Sequence, residues 1–162
     1  MNDRPLSLFL PDESATLALG RKFAPLITPG MTLWLRGELG AGKTALARAL
    51  LRALGYAGTV KSPTYALVEV YVISSLYLYH FDFYRLNVPE EFEERGLGEY
   101  FEKEAIRLVE WPEKAAGHVP SADLEFTLRF ADQAREARIR AWSERGHQCL
   151  TAFTACESAA GN

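Results

Sequence analysis

Residues 31–55 read MTLWLRGELGAGKTALARALLRALG, and this stretch decides the fold. Met31, Leu33 and Leu35 alternate with Thr32, Trp34 and Arg36, the two-residue period of a strand. From Lys43 the period lengthens. Leu46, Leu50 and Leu54 recur every fourth position with Ala47 and Leu51 beside them, which is helical, and Gly55 is a natural stop. Between strand and helix lies Gly37-Glu38-Leu39-Gly40-Ala41-Gly42-Lys43-Thr44, a full match to G-x-x-x-x-G-K-[ST] in the context that motif requires. A polyphosphate carries several charges that must leave water. A glycine-rich loop lets backbone N–H groups converge on the phosphate oxygens without side-chain clash, and the following helix adds its positive end. Gly37, Leu39, Gly40, Ala41, Gly42, Lys43, Thr44 and Ala45 are therefore the candidate nucleotide contacts. Lys43 supplies a mobile charge for the β- and γ-phosphates, and Thr44 offers a hydroxyl oxygen to Mg²⁺.

Outward from this unit, residues 12–26 predict a helix capped by Asp12 or Ser14, with Leu17, Leu19, Phe23, Ala24 and Ile27 as its apolar stripe. Pro29-Gly30 marks a turn. On the other side, 59–64 is a loop, and 66–73 and 76–83 read as strands turning at Ser74-Ser75, a hairpin. Residues 89–103 are acidic and mostly helical in character, 105–110 is a short strand stopped by Pro112, and 124–130 and 137–142 form a last pair of strands. The small, polar residues 153–162 predict a disordered tail. The whole of 1–162 fits one domain. The expected fold is α/β: a P-loop NTPase-like three-layer sandwich with a mixed, largely parallel central sheet and antiparallel C-terminal strands.

Composition narrows the function classes. Eighteen basic residues against 21 acidic give a net charge of −3, so no global basic field marks the chain as a direct nucleic-acid binder; at most a local cluster runs from Arg135 to Arg145. Cys149 and Cys156 fit neither a redox nor a zinc spacing and read as unpaired thiols in a reducing compartment. No signal-peptide pattern opens the chain, and no run approaches the ~20 apolar residues of a membrane span. The expectation is a cytoplasmic protein with no membrane partner.

A Mg²⁺–nucleotide site also needs an acidic residue near the loop, usually at a neighbouring strand end. Asp82 and Glu110 both close apolar strand runs, and spacing alone does not rank them. His80 shares the strand face of Asp82 and can orient it or a water; equally, it is a hydrogen-bonded interior imidazole. Ser62 and Thr64 in Ser62-Pro63-Thr64-Tyr65 are candidates for a nucleotide-sensing switch loop, or for a simple turn. Tyr65, Tyr71, Trp111 and Trp142 are interface anchors or core. No Asn/Thr-Lys-x-Asp or Asp-x-x-Gly pattern is present, which favours ATP over GTP. A small-molecule kinase and a non-catalytic nucleotide-gated assembly switch stand as the alternatives to an ATPase.

GELGAGKT at 37–44, SPTY at 62–65, HFDFYR at 80–85 and EWPE at 110–113 occur in one order. Together they resemble the TsaE (YjeE) family of bacterial ATPases, from about residue 12 to about residue 142. The resemblance implies ATP binding and hydrolysis in making N6-threonylcarbamoyladenosine (t6A) in tRNA, with activity that is weak alone and raised by TsaB-type and TsaD-type partners. It implies that tRNA is met through that complex rather than directly. It makes Lys43, Asp82 and Glu110 catalytic, with Thr44 and Glu110 as Mg²⁺ ligands and Asp82 tied to the nucleotide or the attacking water. Trp111 becomes a functional aromatic, Ser62 and Thr64 a switch, and Arg135 a neighbour of base or ribose. Glu38 stands where the family commonly shows Asp, at a position the motif leaves open.

Overall fold

The computed structural model describes residues 4–162. In chain order the elements are β1 (Leu6–Leu10), α1 (Glu13–Phe23), β2 (Thr32–Arg36), α2 (Lys43–Ala53), β3 (Val68–Ile73), β4 (Leu76–Asp82), α3 (Glu91–Glu94), β5 (Ile106–Glu110), β6 (Leu124–Ala131), β7 (Ala134–Ala141) and α4 (Glu144–Ala160). Among the described residues the seven strands make one sheet in the order β1-β7-β6-β2-β5-β4-β3. Its centre, β6-β2-β5-β4, is parallel. Antiparallel pairs close both sides: β3 against β4, and β6-β7-β1. This is the expected mixed α/β fold.

Both faces of the central strands are covered, so their sequences are apolar almost throughout. Every residue of β5 is buried. On one face α1, α2 and α4 pack Phe23, Leu46, Leu50 and Phe153 onto Leu33, Leu35, Phe126 and Ile139. On the other, α3 and the 3₁₀ segment Leu97–Phe101 bring Phe92, Leu97 and Phe101 against Phe81, Phe83 and Val109. The acidic 89–103 segment is thus only one short helix and a 3₁₀ turn, split at Gly96, which takes φ 69°.

Two elements depart from the sequence reading. Strand β1 was not expected. Leu6, Leu8 and Leu10 pack against the core, while the alternate Phe9 is exposed, so a fourth large apolar residue blurs the alternation. The tail expected to be disordered belongs to α4. Ser143 caps that helix by accepting the Gly146 N–H at 3.0 Å, Cys149 is buried, and Phe153 stacks on Phe23 with ring centroids 4.2 Å apart. Few large apolar residues mark its buried side, so periodicity gave little signal. Both cysteines are free, as expected. Among the described residues no helix is long and apolar enough to cross a membrane.

Candidate functional site

Strand β2 and helix α2 meet at the glycine-rich loop, and backbone geometry explains its glycines. Gly42 caps α2 at φ 110°, a conformation that favours glycine. Gly37 takes φ 143°, and a Cβ there would lie 2.4 Å from the Leu128 carbonyl oxygen on β6. Lys43 opens α2 with its side chain folded over the loop. Its ammonium donates to the carbonyls of Gly37 (2.6 Å) and Glu38 (2.8 Å) and lies 4.6 Å from the Trp111 ring centroid. Burial lowers the Lys43 pKa, and the nearby Glu110, Asp82 and Glu113 carboxylates oppose that shift.

The acid pair arrives from the neighbouring strands. Parallel pairing of β4 with β5 sets Asp82 opposite Glu110 at their C-terminal ends, where open α/β sheets bind ligands. Glu110 is buried, and each of its oxygens has one partner: Thr44 Oγ1 donates to its Oε1 at 3.0 Å, and His80 Nε2 lies 2.6 Å from its Oε2. Asp82 is less enclosed. Its Oδ1 accepts the Tyr84 N–H at 3.0 Å. Burial raises its carboxyl above the usual range; the Tyr84 bond opposes this, and the Glu110 charge adds to it. The chain turns directly after Glu110, with Trp111 in the left-handed region at φ 56°, a strained placement for a bulky residue. That turn sets the indole beside Lys43 and the Tyr84 ring, 5.0 Å between centroids in the latter pair.

These groups surround a cavity of about 450 Å³. Leu39, Gly40, Ala41, Gly42, Lys43, Thr44 and Ala45 line it, with Ser62, Thr64, Asp82, Glu110, Trp111 and Arg135. Ser62 Oγ and Thr64 Oγ1 lie 2.5 Å apart. Arg135 reaches across from β7, donating to the Gly40 carbonyl at 3.3 Å with its guanidinium over the Phe130 ring. Of the residues expected at the site, Gly37 and His80 stand outside the lining: Gly37 packs under β6, and His80 is buried behind Glu110. Sequence reasoning missed Leu10, Asp12, Glu13 and Thr16 from the β1–α1 corner, with Tyr84, Gln133 and Ala134. Asp12 was visible only as a helix cap, a role it fulfils by accepting the Ala15 N–H at 2.9 Å. Tyr84 lies within the HFDFYR motif at 80–85 without having been singled out, and the remaining residues carry no motif. Of the four aromatics, Tyr65 and Trp142 are exposed and Trp111 is half-buried, whereas Tyr71 is core: its hydroxyl accepts the Lys61 N–H and donates to the Lys61 carbonyl.

The donor set suits Mg²⁺. A hydroxyl and two carboxylates are hard oxygen ligands, and this ion commonly takes only one or two protein groups beside phosphate oxygens and water. No cluster of three His, Cys, Asp or Glu that could hold a metal occurs among the described residues.

Residues 10–139 match the family model of the threonylcarbamoyl adenosine biosynthesis protein TsaE. The chain belongs to the TsaE family. The Haemophilus influenzae tRNA threonylcarbamoyladenosine biosynthesis protein TsaE is 42% identical over 154 residues, 92% of this chain and 98% of that one. The Bacillus subtilis protein of the same name is 36% identical over 131 residues, 80% of this chain and 82% of its own. The crystal structure of YdiB from B. subtilis superposes with a TM-score of 0.82 at 26% identity, covering 97% of this chain and 99% of that one. The TsaE match spans all the cavity residues named from sequence, from the loop through Asp82 and Glu110 to Arg135.

Proposed function

We propose that this chain is the cytoplasmic ATP-binding and ATP-hydrolysing component of tRNA N6-threonylcarbamoyladenosine biosynthesis, acting with TsaB-type and TsaD-type partners that hold the tRNA. One observation carries the chemistry: Lys43, Thr44, Asp82 and Glu110 converge on the mouth of the glycine-rich loop at the start of α2. Family membership supports the pathway. The absence of a guanine-reading motif supports ATP over GTP.

In this reading the loop N–H groups and the α2 N-terminus grip the β- and γ-phosphates. Lys43 exchanges its two loop carbonyls for phosphate oxygens. Its ammonium leaves neutral acceptors for anionic ones, which strengthens each bond. Thr44 and Glu110 would hold Mg²⁺, which would supply positive charge against the charge developing on the phosphates. Glu110 has both oxygens engaged, so Asp82 is the better group to orient the attacking water and take its proton. The raised Asp82 pKa suits that task. Arg135 and the β1–α1 corner flank the part of the cavity left for ribose and base. Ser62 and Thr64 form the switch-like rim.

The test is ATP hydrolysis with and without a TsaB–TsaD pair, read alongside threonylcarbamoyladenosine formation in tRNA. Slow release of phosphate into water, accelerated by the partners and required for modification, is the expected result. Phosphate appearing on a metabolite, or modification that proceeds unchanged when ATP is bound but not cleaved, would overturn it.

A further inference from the structure

We infer that His80 is a positioning residue: its Nε2–H fixes the Glu110 carboxylate so that Oε1 faces Thr44 and the metal position. The inference rests on the magnesium–nucleotide reading above.

Three observations carry it. His80 and Glu110 are both almost wholly enclosed, with 1% and 2% of their surfaces accessible, and their side chains meet at 2.6 Å. The two oxygens of Glu110 are divided: Oε2 faces His80 Nε2, and Oε1 accepts from Thr44 at 3.0 Å. The other ring nitrogen, His80 Nδ1, is buried with no hydrogen-bond partner among the described residues.

The last point selects the tautomer. Of the two neutral imidazoles, only the Nε2–H form pairs with a carboxylate. The Nδ1–H form would strand a buried donor and set a lone pair against Glu110. The imidazole also anchors the carboxylate from a rigid element, the second-last residue before Asp82 on β4, whose backbone pairs with β5. Without it, Glu110 would be held only by the Thr44 hydroxyl, itself a proposed metal ligand. A ligating side chain whose outer partner is removed typically loses roughly 10- to 100-fold in metal affinity.

The alternative is a histidine that merely fills the interior. Two isosteric amides separate the roles. The terminal nitrogen of Gln occupies the place of Nε2, whereas that of Asn reaches only the place of Nδ1. In His80→Gln, the Mg²⁺ concentration for half-maximal ATP hydrolysis should stay near wild type. In His80→Asn it should rise roughly 10- to 100-fold, with turnover at saturating Mg²⁺ changed far less. Independently of nucleotide and metal, ¹⁵N NMR of the free wild-type protein should show His80 protonated at Nε2 and bare at Nδ1. An Nδ1–H tautomer, or equal Mg²⁺ dependence in the Gln and Asn variants, would overturn the inference. If the Asn variant does not fold, the wild-type spectrum still decides the tautomer, and loss of Mg²⁺ response in a folded Gln variant still counts against it. Wild-type protein that neither binds nor cleaves ATP would sink the magnesium–nucleotide reading, while the tautomer would remain measurable.

Discussion

The loop at 37–44 and the paired ends of β4 and β5 face one cavity but are built on opposite principles. The loop works through its backbone. Its glycines are required by φ angles and by the approach of β6, while Leu39 between them is 60% exposed. The strand ends work through side chains. There the backbone is ordinary parallel sheet, and function resides in which oxygen of Asp82 or Glu110 is occupied by which donor. A backbone device tolerates change at its open positions and fails at its glycines. A side-chain device tolerates little at any polar atom.

Substitutions probe that contrast in order of effect. Lys43 is the one loop side chain proposed to meet the phosphates. Lys43→Ala should cost roughly 10²–10³-fold in turnover, in line with losing one preorganised electrostatic donor; unchanged turnover would end its assigned role. At the strand ends, Asp82→Asn should cost about 10²-fold, the low end for proton transfer, because a loose phosphoryl transition state asks little of a base.

The same residue sets an acid limb. Asp82 must be ionised to accept the proton, so the rate falls as pH drops through its pKa. Burial raises that pKa, so the limb lies above the ordinary aspartate range. Asp82→Asn should abolish the limb. A folded-state pKa above the unfolded one also means that ionised Asp82 opposes folding at neutral pH, an effect lost as pH falls. The melting temperature of Asp82→Asn at pH 7 should therefore match or exceed wild type.

Gly37→Ala tests the loop as a backbone device. The added methyl would meet the Leu128 carbonyl at 2.4 Å in a conformation costly for alanine. A loss of roughly 1–3 kcal/mol in unfolding free energy is expected, read by urea titration. Leu39→Ala is the opposing control. It sits at an open, exposed position and should shift stability by no more than about 0.5 kcal/mol. Equal damage from the two substitutions would refute the backbone account.

Much of this was legible in the chain. The eight-residue loop is contiguous, and the change from a two-residue to a four-residue period on either side of it is a local signal. The β3–β4 turn at Ser74-Ser75 and the strand ends at Asp82 and Glu110 were equally local. Strand β1 and helix α4 were not, because each has a weak apolar pattern and is held by distant partners: β1 by β7, and α4 by Phe23. The β1–α1 corner of the cavity was hidden for the same reason.

By itself, then, the sequence determined the strand, glycine-rich loop and helix, and pointed to Asp82 and Glu110 as acids at strand ends, since those depend on residue type and on spacing within short runs of chain. Only the tertiary structure decided how the acids divide their work. Glu110 is occupied by Thr44, 66 positions away, and by His80, 30 positions away, while Asp82 keeps a freer oxygen. Such pairings are set by the parallel register of β4, β5 and β2. Register arises from the whole core closing on both faces of the sheet, which no short stretch of chain encodes.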